Sequence, residues 1–155
     1  MAIISPVPPD VTTRMDALLQ PSLTDLIDLS LLSKMGHWCM QGGPVFIEVH
    51  RFMDELVEFA RDNYDTIAER VIQLGRFPDG RAATVGSRSA LRQFEPAAIR
   101  SDAVPAIVVV NLLALEKRFR QRCLDSQEDL VTQNIFIGIT EEMEKLSWFW
   151  QASQP

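Results

Sequence analysis

Residues 75–101 read GRFPDGRAATVGSRSALRQFEPAAIRS, and this stretch decides the fold. It is rich in Gly, Ser, Pro and Arg, too weakly periodic to form one long element, and far longer than an ordinary connection between neighbouring helices. On its N-terminal side, Val45, Val49, Phe52, Met53, Leu56, Phe59, Ala60, Ile67, Val71 and Leu74 recur at helical spacing, predicting a helix from about Pro44 to Leu74 that Gly75 and Pro78 stop. On its C-terminal side, Ser101 or Asp102 can cap a helix striped by Val104, Ile107, Val108, Leu112, Leu115, Phe119 and Cys123. Ser126 followed by Asp129 reads as a capping box for a last helix carrying Leu130, Val131, Ile135, Met143, Leu146, Phe149 and Trp150. A first helix spans Met15 to Trp38, with Pro21 kinking it or opening its main part, and Gly42-Gly43 ends it in a tight turn. Tight turn, long crossover, tight turn: two antiparallel hairpins must be linked along the length of an all-α four-helix bundle.

That connectivity is ferritin-like. The expected organisation is a short extended arm over residues 1–9, punctuated by Pro6, Pro8 and Pro9, and a single helical domain over residues 10–155. With 155 residues, 46% of them hydrophobic, the chain can bury a core by itself. Fifteen basic against twenty-one acidic residues give a formal charge of −6, the wrong balance for wrapping an anionic polymer. Two distant cysteines, Cys39 and Cys123, suggest neither a disulfide framework nor a thiolate zinc site. No apolar run reaches membrane-spanning length and no signal peptide is evident, so a cytoplasmic location without membrane attachment is expected.

The chemistry concentrates around the only two histidines, His37 and His50. On the second helix His50, Asp54, Asp65 and Glu69 stand at offsets of 0, 4, 15 and 19, which keeps them within an arc of about 100°. Along the axis, however, His50 and Glu69 are roughly 28 Å apart, so one helix cannot bring both to one ion. The spacing is palindromic: His50 and Glu69 are as far from the helix midpoint as each other, and so are Asp54 and Asp65. Two copies packed antiparallel about a two-fold near Phe59 and Ala60, with Ala60 allowing close approach, would set His50 opposite Glu69 and Asp54 opposite Asp65, twice per dimer. Imidazole plus carboxylates with open positions suits iron(II), manganese or zinc better than calcium or magnesium. The plainer reading, solvated or structurally paired side chains, is accepted for Arg51, Arg61 and Arg70, which are expected to pair with Glu55, Glu58 and Asp62 on the outer face.

The wording around these residues is His37-Trp38, then Phe46, Val49-His50, Phe52, Asp54, and Asp65-Thr66-Ile67-Ala68-Glu69-Arg70 followed by Leu74-Gly75. It resembles the signature of the Dps family, the mini-ferritins also called DNA-binding proteins from starved cells. The similarity continues through Asp129-Leu130-Val131 and Glu144-Lys145-Leu146-Ser147-Trp148-Phe149. The resemblance implies a four-helix subunit with a short extra helix in the crossover and a hollow dodecamer. It also implies oxidation of iron(II), typically by hydrogen peroxide, with storage of iron(III) mineral inside. On matching positions it assigns His37, His50 and Asp54 to one subunit's share of the site and Asp65 and Glu69 to its partner's. Trp38 would intercept stray oxidising equivalents, although packing on the neighbouring helix is its simpler role.

The pattern departs from the family in three places. There is one residue more between the histidines than usual; Cys39 stands where asparagine commonly follows His-Trp; and Asn134 replaces a frequent pore-lining acid, leaving Glu128 and Asp129 as substitutes. Family members that condense DNA commonly carry a lysine-rich tail, which neither end shows here, so DNA binding is disfavoured. The arginines of the crossover, Arg76, Arg81, Arg88, Arg92 and Arg100, are its best local patch. The alternative function, a nucleoid-protecting DNA-binding particle with ferroxidase activity secondary or absent, rests on them. A monomeric di-iron enzyme would need Glu-x-x-His pairs, and neither histidine has Glu three residues before it.

Overall fold

The structure is a computed structural model describing residues 3–154, so the first two residues of the expected arm lie outside the described residues. It is an all-helical bundle of α1 (Pro9–Cys39), α2 (Phe46–Gln73), α4 (Val104–Asp125) and α5 (Leu130–Ala152), with α3 (Ala82–Arg88) in the crossover. α1 lies along α2 and α4 along α5, while α1 also meets α4 and α2 meets α5. The core is filled by Met15, Leu19, Leu26, Met53, Leu56, Ile67, Leu112, Phe119, Phe136 and Trp150. These recur at the helical spacing of the sequence, which is why four such stripes close on one another. Among the described residues no helix is long and apolar enough to cross a membrane.

Several local readings change. Pro21 neither breaks nor restarts the first helix, because α1 runs unbroken through it. Pro21 and Ala17 are both exposed, so water can take the carbonyl that a residue with an N–H at position 21 would have bonded. Asp129, not Ser126, caps α5: its side chain accepts from the Val131 N–H, while the Ser126 hydroxyl donates back to the Arg122 carbonyl. The start of α4 has no side-chain cap, and Ser101 to Ala103 form a separate 3-10 turn before it. On α5, Leu130 and Val131 are exposed rather than core, as is Trp148, whereas Trp150 is buried.

The crossover is ordered by polar side chains of the helices beneath it. Gln20 bonds both the N–H and the carbonyl of Asp79; Asp28 accepts from Ser89 and from Gln93; Asn111 bonds both backbone groups of Arg92. Its end zips onto the α1–α2 turn, where Ile99 N–H donates to Cys39 and Gln41 N–H donates to Ile99, at 2.9 and 2.8 Å. Leu91 and Phe94 plug into the core from this strap. These contacts fix the last turn of α1, which carries His37.

Gly36 sits inside that turn, where a larger residue would force Met53 or Phe94 to shift. A Cβ there would lie 2.6 Å from Met53 Cε and 2.7 Å from the Phe94 ring. Overpacking costs about 1–3 kcal/mol, against about 1 kcal/mol gained in helix propensity. Gly36→Ala is therefore expected to lower stability by about 1 kcal/mol in urea unfolding.

Candidate metal centre

The expected site residues stand in two groups at opposite ends of α2. At its N-terminal end the Gly42-Gly43 turn, with both glycines at positive φ, folds α2 back along α1 and brings His50 under His37. The imidazole centroids are 3.6 Å apart and stacked, with the Phe46 ring on His50 at 5.2 Å. The extra residue of the turn thus does not separate the histidines. His37 Nδ1 lies 3.1 Å from the His50 carbonyl, which can only accept. That contact places the proton on Nδ1 and leaves the lone pair of His37 on Nε2. His50 Nδ1 is buried and has no hydrogen-bond partner.

Asp54, one turn further along α2, completes this half. Its Oδ1 is 2.5 Å from Lys34 Nζ and 3.2 Å from His37 Nδ1. The Lys34 hydrogen bond, joined by the charges of Lys34 and the imidazoles, holds the Asp54 carboxyl below its ordinary range. Lys34 was not singled out in the sequence, although it stands one helical turn before His37 on the same face of α1. Its ammonium occupies the carboxylate, so an incoming cation must displace it or share the oxygen.

At the far end of α2, Asp65 and Glu69 are exposed. Among the described residues neither makes an ion pair or a side-chain hydrogen bond. Eleven residues separate Asp54 from Asp65, roughly 16 Å along the axis. The structure therefore brings His37, His50 and Asp54 together and keeps Asp65 and Glu69 apart from them. Among the described residues no three His, Cys, Asp or Glu side chains are placed to hold a metal ion.

The midpoint needs correction. Phe59 and Ala60 are buried in this chain's own core and cannot form a crossing surface. The exposed positions there are Glu58 and Arg61. Arg61 thus stays on the outer face as expected, whereas Arg70 does not: it is buried, donates to Asp129 at 2.6 Å and to Thr132 at 3.0 Å, and ties α2 to the start of α5. Asp129 is thereby removed as a pore acid, and Glu128 is held by Arg14 at 2.6 Å. Trp38 is 67% exposed within the chain, so most of its surface is free of the neighbouring helices. In the crossover, Arg81 and Arg100 are paired with Asp79 and Asp102, which thins the arginine patch.

Comparison with known proteins agrees with this fold. The family model for the ferritin-like domain matches residues 16–153. The DNA protection during starvation protein of Agrobacterium fabrum is 31% identical over 154 residues, covering 94% of this chain and 91% of the relative. The chain belongs to the Dps family of mini-ferritins. The protein of the same description from Mycolicibacterium smegmatis is 34% identical over 143 residues, covering 87% of this chain and 74% of the relative. Among solved structures, Mycobacterium smegmatis Dps superposes with a TM-score of 0.90 at 28% identity, covering 98% of this chain and 92% of that one. The Dps of Microbacterium arborescens in its high iron form gives 0.89 at 25% identity, with 96% and 97% coverage. The Dps fold therefore accounts for the bundle, the crossover and its short helix.

Proposed function

We propose that this Dps protein oxidises iron(II), with hydrogen peroxide as oxidant, at sites shared between two copies of the chain, and stores the iron(III) product within a closed, cytoplasmic dodecamer. The observation that carries this reading is the mirrored pattern on the outer face of α2. Exposed or half-buried side chains pair off about its midpoint: Ile47 with Ile72, His50 with Glu69, Asp54 with Asp65, and Glu58 with Arg61. Each falls within the same arc of about 100°. In an antiparallel contact of two α2 helices this sets apolar against apolar at the ends and acid against base at the centre. It also brings the histidine half of one chain to the carboxylate half of the other.

The donor set fits iron as the substrate. The Nε2 lone pair of His37 and the unpartnered His50 favour iron(II), while Asp54, Asp65 and Glu69 stabilise the more highly charged iron(III) product. Oxidising two iron(II) ions with one peroxide delivers two electrons, one from each iron, to the O–O bond together, so it breaks to two hydroxides and no hydroxyl radical is released. Trp38, exposed beside His37, is placed to intercept an oxidising equivalent that escapes.

The solved high iron form of a structural neighbour supports iron as cargo. The relatives' description as DNA protection proteins supports the second reading, direct DNA binding, but the charge of −6 per chain and the pairing of Arg81 and Arg100 count against it. Anaerobic addition of iron(II) followed by peroxide should consume about one peroxide per two irons and leave soluble iron(III), and duplex DNA should not be retarded at physiological salt. Peroxide consumption no faster than in buffer would contradict the first reading; salt-sensitive retardation would favour the second.

A further inference from the structure

Away from the α2 face, a cleft of about 250 Å³ is lined by Pro21, Thr24 and Asp25 of α1, Arg88 and Ala90 at the end of α3, and Arg118 and Arg122 of α4. Three guanidinium groups face one carboxylate there, on a chain whose formal charge is −6. Asp25 is buried and fully engaged: Arg118 donates to Oδ1 at 2.7 Å and Arg122 to Oδ2 at 2.8 Å. Arg122 is itself nine-tenths buried, with its guanidinium 4.8 Å from the Phe119 ring centroid, and its Nη1 has no hydrogen-bond acceptor. Arg88 stands exposed at the rim, and among the described residues its side chain has no partner.

Buried Arg122 and half-buried Arg118 share a single carboxylate, which leaves one positive charge uncompensated, and burying charge without a full set of partners is costly. Burial pushes the Arg122 pKa down; Asp25 opposes this, and the neighbouring charge of Arg118 adds to it. A structural lock between α1 and α4 would need only one arginine on Asp25. The second arginine and the third guanidinium at the mouth leave the cleft with more positive than negative charge, which is what an anion requires.

We infer that this cleft binds a small oxoanion of the phosphate type, held between Arg88 and Arg118 with Arg122 and Asp25 as the fixed floor. Guanidinium groups offer paired N–H donors that match the oxygens of such an ion, and a partly enclosed cleft strengthens each charge-assisted bond. The volume admits one oxoanion with residual water. The recessed position of Arg122 and Asp25 keeps them from the backbone of a duplex, so the ligand is free phosphate rather than nucleic acid.

Calorimetric titration of inorganic phosphate into the iron-free assembled protein, at constant ionic strength in chloride, tests this. Saturable binding of one ion per chain with Kd of about 1 mM or tighter is expected, with Tm raised by about 3 °C at ten times Kd. Arg88→Ala should weaken binding at least about tenfold while leaving Tm without phosphate unchanged, since Arg88 is exposed and unpartnered. Arg118→Gln should weaken it similarly and provides a second test should one variant assemble poorly. No saturable binding, equal affinity in wild type and both variants, or one-for-one displacement of phosphate by duplex DNA would each overturn the proposal.

Discussion

Replacing Asp65 and Glu69 together by Asn and Gln is expected to slow peroxide-driven iron(II) oxidation by about 100-fold or more, with the fold intact. Both side chains are exposed and, among the described residues, unpartnered, so the substitution should change stability by no more than about 0.5 kcal/mol. The same loss is expected from His50→Ala with Asp54→Ala at the other end of the helix. Because all four would serve one ion-binding unit, combining the two pairs of changes should cost little more than either alone. Stopped-flow absorbance of iron(III) formation checks all three variants. Full activity in the Asp65 and Glu69 variant would show that the far end of α2 has no part in the chemistry.

The second large effect concerns stability. Arg70→Ala is expected to cost about 3–5 kcal/mol, because it strands the Asp129 carboxylate in a buried site where both partners are at most 5% exposed. Burial pushes the Asp129 pKa up, but hydrogen bonds from Thr132 and Arg70 and the Arg70 charge outweigh it, so the carboxyl is held below its ordinary value. A depressed folded-state pKa stabilises fully above the unfolded value of about 4, and that contribution is lost as pH falls through the folded value. Urea midpoints of wild type and Arg70→Ala should therefore differ most near pH 7 and converge below about pH 4. A constant difference down to pH 2 would show that the arginine acts by packing alone.

The helices were legible because a period of 3.6 residues writes itself along each segment, and the glycines at 42, 43 and 75 mark the ends at positive φ. The crossover declared itself by failing to repeat. What the sequence concealed are pairings that depend on how helices are rotated against one another. Arg70 stands four residues from Thr66 and one from Glu69, with nothing local to say that it turns inward to Asp129, 59 positions away. The same holds for Asp25 with Arg118 and Arg122, and for Gln20, Asp28 and Asn111, whose polar side chains hold the crossover alongside the apolar Leu91 and Phe94.

The proposed site is read from a different feature: symmetry between two copies would leave a mark on one copy. The palindrome places His50, Asp54, Asp65 and Glu69, and the structure adds Lys34 on Asp54 and the outward faces of Glu58 and Arg61. Phe59 and Ala60 cannot be the crossing because the two residues nearest the midpoint face the core, so Glu58 and Arg61 carry the exposed face there. Those two side chains sit a half-turn or so away from the His50 stripe and were already committed to the core.

Subunit mixing tests the shared cradle most directly. The His50→Ala, Asp54→Ala chain and the Asp65→Asn, Glu69→Gln chain, each inactive alone, are unfolded together, refolded at equal amounts and assayed with iron(II) and peroxide. Half of the two-fold pairs then join unlike chains, and each such pair holds one whole site of two, so about one quarter of wild-type activity should return. Activity that stays at the level of the separate variants would contradict a site built from two chains.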